Sequence, residues 1–461
     1  MTIRSLPWSG ALLLVLVAPA GAQNCSRTST GLLPLTDLGT SKYQGFAGGL
    51  YGGGSNALPA LHLAAGLAES GAVAPLDKSG KPDAQNGRIV LISIGMSNTT
   101  QEFSTWLHMS DRDPKRRGTV RVVDCAQGGQ DARKIQDPNA LYWTVCMQRI
   151  AAAGLSAQQV QVAWVKQAIA RPAKGFPASS VELQTFLVKI CQNLKAKFPK
   201  IRIAYLSSRI YAGYATTQLN PEPYSYESGF GVRWTIEQQM KGDAGLNWDP
   251  KKGAVRAPWL AWGPYLWADG LKGRKIDKLV WTCADFSSDG THPSASGRQK
   301  VADLLDLHFK NDVTARTWYL GPGGGGKAAV LPYGAGCPGS RGVLGVRSNG
   351  VPILGTSFKL GIVNARPSSP AVLLLSAAKA SLALDPRCTL LLDPTKSLMA
   401  LVLATNNVGN AVVSLATPNE QQLVGLSVFT QFLVLDPAAP GLRLFGGAAL
   451  SQGVELLIGW L

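Results

Sequence analysis

Residues Arg88 to Phe103 read RIVLISIGMSNTTQEF, and this stretch decides how the rest of the chain is read. Ile89, Val90, Leu91, Ile92 and Ile94 make an apolar, largely β-branched run of the kind that forms a strand buried on both faces of a parallel sheet. The run stops at Gly95. Gly95-Met96-Ser97-Asn98 turns the chain, and Thr99, Thr100, Gln101 and Glu102 carry the pattern of a capped first helical turn. The Ser97 hydroxyl is therefore expected at the carboxyl end of a strand, beside a helix N-terminus. Open α/β sheets bind ligands there, and helix-terminal N–H groups hold anions. Taken alone, such a serine is a cap or turn residue, so its meaning rests on what accompanies it.

A β/α alternation continues from this strand. Thr119 to Cys125, Gln159 to Val165, Ile201 to Leu206 and Lys278 to Trp281 read as successive strands. Between them Leu183, Phe186, Leu187, Ile190 and Leu194 recur at helical spacing until Phe198-Pro199 ends the helix. Strands separated by helices imply βαβ units, hence a three-layer α/β/α sandwich around a parallel sheet.

Far downstream, Ser288-Asp289-Gly290-Thr291-His292-Pro293-Ser294 offers what a serine nucleophile requires. An imidazole must take the hydroxyl proton, and a carboxylate must hold that imidazole in the right tautomer. Asp289 and His292 supply both from one short loop. Ser97 together with this Asp-x-x-His pair resembles the SGNH (GDSL-type) hydrolase family over roughly residues 88 to 310. The resemblance implies Ser97 as nucleophile, His292 as proton shuttle and Asp289 as its orienting carboxylate. Gly95-Met96-Ser97-Asn98 departs from the family's commonest Gly-Asp-Ser and is closer to the Gly-Gln-Ser-Asn of its carbohydrate O-acetylesterase branch.

The resemblance also implies an oxyanion hole built from Ser97 and two later blocks. Val122 to Asp131, VVDCAQGGQD, matches the second block and assigns Gly129, with Gly128 as the near alternative. The third block, Gly-x-Asn-Asp after a strand, corresponds to Lys166-Gln167-Ala168 after Val160 to Val165, which puts Gln167 at the asparagine position. Its amide can donate, from a side chain one methylene longer. Losing one such donor costs about 10²- to 10³-fold in rate. Lys166 beside it either adds positive charge to the site or lies solvated on the surface. Asn98, Lys166, Arg209 and Tyr226 are the candidate substrate contacts. Arg209 belongs to Ser207–Tyr214, which follows the fourth strand at the sheet end where the site is expected.

Met1 to about Gln23 has Arg4, the apolar run Ala11 to Val17 and the small-residue site Ala20-Gly21-Ala22, the layout of a secretory signal peptide over residues 1–23. Its apolar part is too short to span a bilayer, and no later stretch is long enough. A bacterial secreted, periplasmic or cell-surface protein is expected. Export permits disulfides, and the cysteines at 25, 125, 146, 191, 283, 337 and 388 allow at most three. Cys337 and Cys388 pair if the tail is a separate domain; connectivity among Cys25, Cys125, Cys146, Cys191 and Cys283 stays open. No Cys-x-x-Cys or His-x-x-x-His spacing suggests a metal, and the expected reaction needs no cofactor.

The formal charge is +17. Nine basic and five acidic residues lie beyond residue 318, so +4 belongs to the tail and +13 to the first 318 residues. The basic runs Lys115-Arg116-Arg117, Lys251-Lys252 and Lys272-Gly273-Arg274-Lys275 lack the aromatic interleaving of a nucleic-acid surface. They read as solvated loops or as attraction to an anionic cell-surface polymer.

Residues 24–87 read as an extended N-terminal arm. Its glycine loop Gly48 to Asn56 lacks the Gly-Lys-Ser/Thr ending of a phosphate-binding loop, and its His62 reads as an ordinary buried or capping histidine. Residues 88–318 form the hydrolase-like domain. Within it an insertion over about 216–271 is rich in aromatic residues, Tyr226, Trp259 and Trp267 among them, which either line a sugar or ester cleft or pack a small core of their own. Gly321-Pro322-Gly323-Gly324-Gly325-Gly326 marks a linker over 319–331. Residues 332–461 show short apolar runs broken by Gly, Pro and Asn, the pattern of an antiparallel β-sandwich, and resemble a C-terminal module of bacterial exported proteins.

Two functions compete on this reading. One is an exported serine esterase for short-acyl, O-acetyl esters of a small molecule or an acylated polysaccharide. The other is a non-catalytic glycan- or surface-binding protein on the same scaffold. A fluorophosphonate probe separates them, since only an activated serine is labelled.

Overall fold

The computed structural model describes residues 22–320, 328–396, 399–419, 423, 426–440 and 446–459. The expected leader up to residue 21 and the glycine run at 321–327 lie outside the described residues.

Five strands form one parallel sheet: β1 (Ile89–Gly95), β2 (Val120–Val123), β3 (Val160–Lys166), β4 (Ile203–Ser207) and β5 (Trp259–Trp262). Their order across the sheet is β2-β1-β3-β4-β5. Every residue of β1, β3, β4 and β5 is buried, which is why these strands read as continuous apolar runs rather than alternating ones. The helices that cover them are α1 (Ala60–Gly71), α2 (Ser97–Asp111), α3 (Leu141–Ala152), α4 (Ala178–Lys197), α5 (Tyr224–Met240) and α6 (Ala295–Asn311). Helix α2 packs on α6, and α4 on α5. Trp106 of α2 stacks on Phe309 of α6, and Phe103 stacks on Trp164 of β3.

The fifth strand is not where the sequence pattern put it. Lys278 to Trp281 is irregular, with Lys278 at φ +59 and Trp281 N–H donating to Gly270 O. The strand is Trp259-Leu260-Ala261-Trp262, four residues between Pro258 and Gly263-Pro264, too short for a periodic signal. The stretch expected as an insertion therefore supplies α5 and β5 to the main fold. Its Tyr226, Phe230, Trp259, Trp262, Tyr265 and Trp267 are buried in the principal core, neither lining a cleft nor forming a core apart.

The N-terminal arm is likewise part of this core. It is not uniformly extended, since it carries α1, and Leu35, Leu38, Tyr51 and Val73 pack into the main cluster. His62 is buried, with Nε2 2.8 Å from Leu260 O and its ring stacked on Trp259. In the glycine loop, the Gly48 carbonyl accepts from Arg233 at 2.9 Å, so the loop caps a buried guanidinium.

Beyond residue 327 the described strands pair antiparallel. The strands are β6 (Ala329–Tyr333), β7 (Gly345–Asn349), β8 (Ser357–Val363), β9 (Pro370–Ser376), β10 (Lys379–Asp385), β11 (Cys388–Leu392), β12 (Met399–Ala404), β13 (Ala411–Ala416), β14 (Ser427–Leu435), β15 (Ala448–Leu450) and β16 (Gly453–Leu457). One sheet runs β12-β9-β14-β16-β6 with β15 on β14; a second runs β13-β8-β7; β10 and β11 form a hairpin. Phe358, Leu360 and Ile362 of β8 and Leu373, Phe432 and Val434 of the larger sheet make the core of this β-rich module. The runs expected to start at Leu398 and Leu423 are strands from Met399 and Ser427, residues 398, 424 and 425 lying outside the described set.

Two disulfides are formed, Cys337–Cys388 in the tail and Cys25–Cys283 between the N-terminal arm and the parallel-sheet part. Cys125, Cys146 and Cys191 are free and buried. Disulfides of this kind belong to a chain that matures in an oxidising compartment. Among the described residues no helix is long and apolar enough to cross a membrane.

Candidate active site

Ser97 opens α2 directly after β1. The turn between them requires glycine: a Cβ on Gly95 would lie 2.2 Å from Thr99 Oγ1 and 2.5 Å from Lys166 O. Tyr142 OH accepts from Gly95 N–H at 3.1 Å, and Thr99 Oγ1 donates to Lys166 O at 2.8 Å, which ties the first turn of α2 to the end of β3. The strand order reverses direction between β1 and β3, and the crevice at such a switch point is where doubly wound sheets bind ligands.

The residues that complete the site come from the loop before α6. Ser287 N–H donates to His292 O at 2.8 Å, closing the loop, and Gly290 turns it at φ +63. Asp289 Oδ1 accepts from the backbone N–H groups of Thr291 and His292, each at 3.0 Å. Its Oδ2 stands 2.5 Å from His292 Nδ1, while Nε2 of the same ring is 2.8 Å from Ser97 Oγ. Burial would raise the Asp289 pKa, but the backbone and side-chain hydrogen bonds from His292 and the N–H of Thr291 outweigh it and hold the carboxyl below its usual value. A carboxylate in this position accepts the Nδ1 proton and leaves Nε2 free to take one from Ser97, the arrangement of a nucleophilic serine.

Asn98 is not open to a substrate. It is 2 % exposed, and its Nδ2 donates to Thr291 O at 2.9 Å, so it binds the Asp289–His292 loop to the start of α2. Asp124, which carries no motif signal, performs a similar service on the other side. Its carboxylate accepts from Ser93 and Thr100 hydroxyls, from Ser104 Oγ at 2.9 Å and from Ala126 N–H at 3.1 Å.

The expected oxyanion donors divide. Gln127 N–H donates to Gly95 O at 3.0 Å, which brings the Gly128-Gly129 turn alongside the serine. A Cβ on Gly128 would lie 3.8 Å from Ser97 Cβ, and Gly129 adopts φ +70. Gln167, by contrast, is occupied within the protein: Nε2 donates to Gln130 O at 2.9 Å, Oε1 accepts from Ala168 N–H at 3.1 Å, and the residue is 1 % exposed. The extra methylene carries its amide across to the Gln130 carbonyl, where it braces the glycine turn.

Lys166 is not a solvated surface lysine. It is fully buried, with Nζ in an ion pair with both carboxylate oxygens of Glu102 on α2. Burial pushes Lys166 down to about 8 and Glu102 up, each restrained by the other's charge. Glu102 also feels the charges of Arg209 and His292. A lone lysine ending the apolar run Val160 to Val165 was the available signal for this pair, because a buried cation demands a carboxylate. Tyr226 is not brought to the site. It is buried among Tyr43, Phe230 and Trp267, where its ring serves packing. Among the described residues no group of three His, Cys, Asp or Glu side chains is placed to hold a metal ion.

No protein-family model matches the chain, and no curated protein matches it. Several solved structures resemble it, two of them acyl-transfer proteins. The periplasmic domain of a lipopolysaccharide acetyltransferase from Salmonella ser. Paratyphi A is 14 % identical with a TM-score of 0.27, covering 55 % of this chain and 95 % of that one. The salicylyl-acyltransferase SsfX3 from a tetracycline biosynthetic pathway is 13 % identical with a TM-score of 0.25, covering 50 % of this chain and 55 % of that one. Likeness at this level carries no argument about activity, which rests on the side chains described above.

Proposed function

We propose that this chain is an exported serine hydrolase of the SGNH type, acting on carboxylic esters through Ser97, His292 and Asp289. One observation carries the reading: the Oγ–Nε2 contact of 2.8 Å continues through the ring to an Nδ1–Oδ2 contact of 2.5 Å. In the reaction Ser97 Oγ attacks the ester carbonyl and gives its proton to His292 Nε2. His292 returns that proton to the departing alcohol, and water then releases the acid from Ser97 by the same steps in reverse order. Asp289 stabilises the imidazolium throughout. Backbone N–H groups of Ser97 and the Gly128-Gly129 turn are the donors for the oxyanion, without the Gln167 amide. Short acyl groups, O-acetyl on carbohydrate foremost, are the proposed substrates.

The test is hydrolysis of p-nitrophenyl acetate, butyrate and octanoate, together with fluorophosphonate labelling, by the mature protein and its Ser97→Ala variant. Turnover strongest on acetate and labelling that the variant loses are the expected result. Absence of both in the unaltered protein favours the non-catalytic, glycan-binding reading, for which the occupied Gln167 amide is the structural argument.

A further inference from the structure

The ends of β1, β3 and β4 lie side by side, since Gly95 pairs with Lys166 and Lys166 with Ser207. Just past these three positions stand Ser97, Gln167 and Arg209. Arg209 is 3 % exposed, and its backbone N–H donates to Ser228 Oγ at 3.3 Å. Its guanidinium makes no hydrogen bond or ion pair among the described residues, and Nε is buried without a partner. Other buried arginines are held: Arg233 by the carbonyls of Ala47 and Gly48, Arg274 by Asp277 and the Tyr265 carbonyl.

The carboxylates whose charge Arg209 feels are Glu102, Glu222 and Asp289, and all three are otherwise engaged. Glu102 holds Lys166, and Asp289 holds His292. Glu222 accepts from Ala212 N–H and Trp267 Nε1 at 2.8 Å each and from Tyr226 N–H at 3.0 Å. Glu102 thus carries a charge that Arg209 feels while only Lys166 contacts it. A buried cation left in this state is costly unless an acceptor joins it. The planar, forked donors of a guanidinium suit a carboxylate or phosphate oxygen pair.

We infer that Arg209 receives an acidic group, a carboxylate or a phosphate, carried by the ester whose carbonyl is presented to Ser97. This rests on the hydrolase reading above and narrows it to acidic esters. Arg209 then selects the substrate and leaves the proton path to His292 and Asp289.

The experiment compares acidic esters with their neutral methyl esters: the p-nitrophenyl half-esters of succinate and glutarate, with the acid on the acyl side, and 4-acetoxybenzoate, with the acid on the alcohol side. Wild-type protein is expected to favour at least one acid over its methyl ester by about tenfold to a hundredfold in kcat/KM, the range for hydrogen bonds to a charged group. Arg209→Gln should reduce that ratio to about one, with Arg209→Lys between; equal kcat/KM for every pair in wild type, or a ratio unchanged in Arg209→Gln, overturns the inference. Competition by succinate against competition by inorganic phosphate identifies the acid group, and inhibition by neither counts against it. A binding titration of the half-esters to Ser97→Ala separates the two readings. Tighter binding of an acid than of its methyl ester, without turnover in wild type, keeps Arg209 and removes the hydrolase; turnover of neutral esters with no acid preference in either assay does the reverse.

Discussion

Asp289→Asn exchanges one carboxylate oxygen for an NH₂ group and tests the whole chain of contacts. The asparagine oxygen can keep both backbone hydrogen bonds, from Thr291 and His292 at 3.0 Å, so the loop should retain its shape. At the other position an NH₂ group replaces the carboxylate oxygen 2.5 Å from His292 Nδ1, setting donor against donor. The imidazole escapes the conflict by moving its proton to Nε2, which then faces Ser97 Oγ as a donor and cannot accept. An equivalent exchange in a serine-protease triad lowers kcat by about 10⁴-fold. At 1.36 kcal/mol per tenfold that is roughly 5.5 kcal/mol of transition-state stabilisation. The assay is kcat for p-nitrophenyl acetate, with circular dichroism to show that the variant is folded. A folded Asp289→Asn protein turning over within tenfold of wild type would refute the role given to this carboxylate.

Three further outcomes follow from the contacts described. Lys166→Met should destabilise the protein by about 3–5 kcal/mol in urea, because it strands the Glu102 carboxylate in the core, and adding Glu102→Gln should recover most of the loss; a single-variant effect under about 1 kcal/mol refutes the pairing. Replacing Cys25 and Cys283 by serine opens a loop of 258 residues and should cost roughly 5 kcal/mol, read as a lowered Tm in the double variant. Because the Asp289 pKa is held below its unfolded value, its contribution to stability is present above the ordinary carboxylate range and lost as pH falls through the folded pKa. The stability gap between wild type and Asp289→Asn should therefore be full at pH 6 and shrink below about pH 4; a gap that stays constant to pH 2 rules this out.

Much of this architecture was legible from Arg88 to Phe103 onward because parallel strands announce themselves as unbroken apolar runs. Four of the five strands were found this way. β5 escaped because its four residues, two of them tryptophans, look like the aromatic stretch around them. Ser97, Asp289 and His292 were legible through the resemblance that Gly-Met-Ser-Asn and Asp-x-x-His carry together, because a serine after a strand is by itself only a cap or turn residue. Neighbours such as Asn98, Gln167 and Tyr226 were not, because polarity does not say which way a side chain faces. Asn98 and Gln167 turned out to join loops, and Tyr226 to fill the core. Glu102 and Asp124 gave no signal because their partners are remote in sequence: Lys166 for the first, and for the second Ser93 on the preceding strand.

The Cys25–Cys283 bond makes residues 25 to 283 a covalent ring. All five parallel strands and Ser97 lie within it, while Asp289 and His292 follow on the tail that leaves the ring. A single proteolytic nick anywhere between Ser26 and Thr282 therefore releases no fragment. The two pieces run as one species on a non-reducing gel and separate only when thiol is added. Gln23, just outside the ring, donates its N–H to Ser288 O at 2.6 Å, so the backbone next to the junction is also joined to the histidine loop. Cutting the surface of this part of the protein opens the ring without parting the serine from the segment that carries its base.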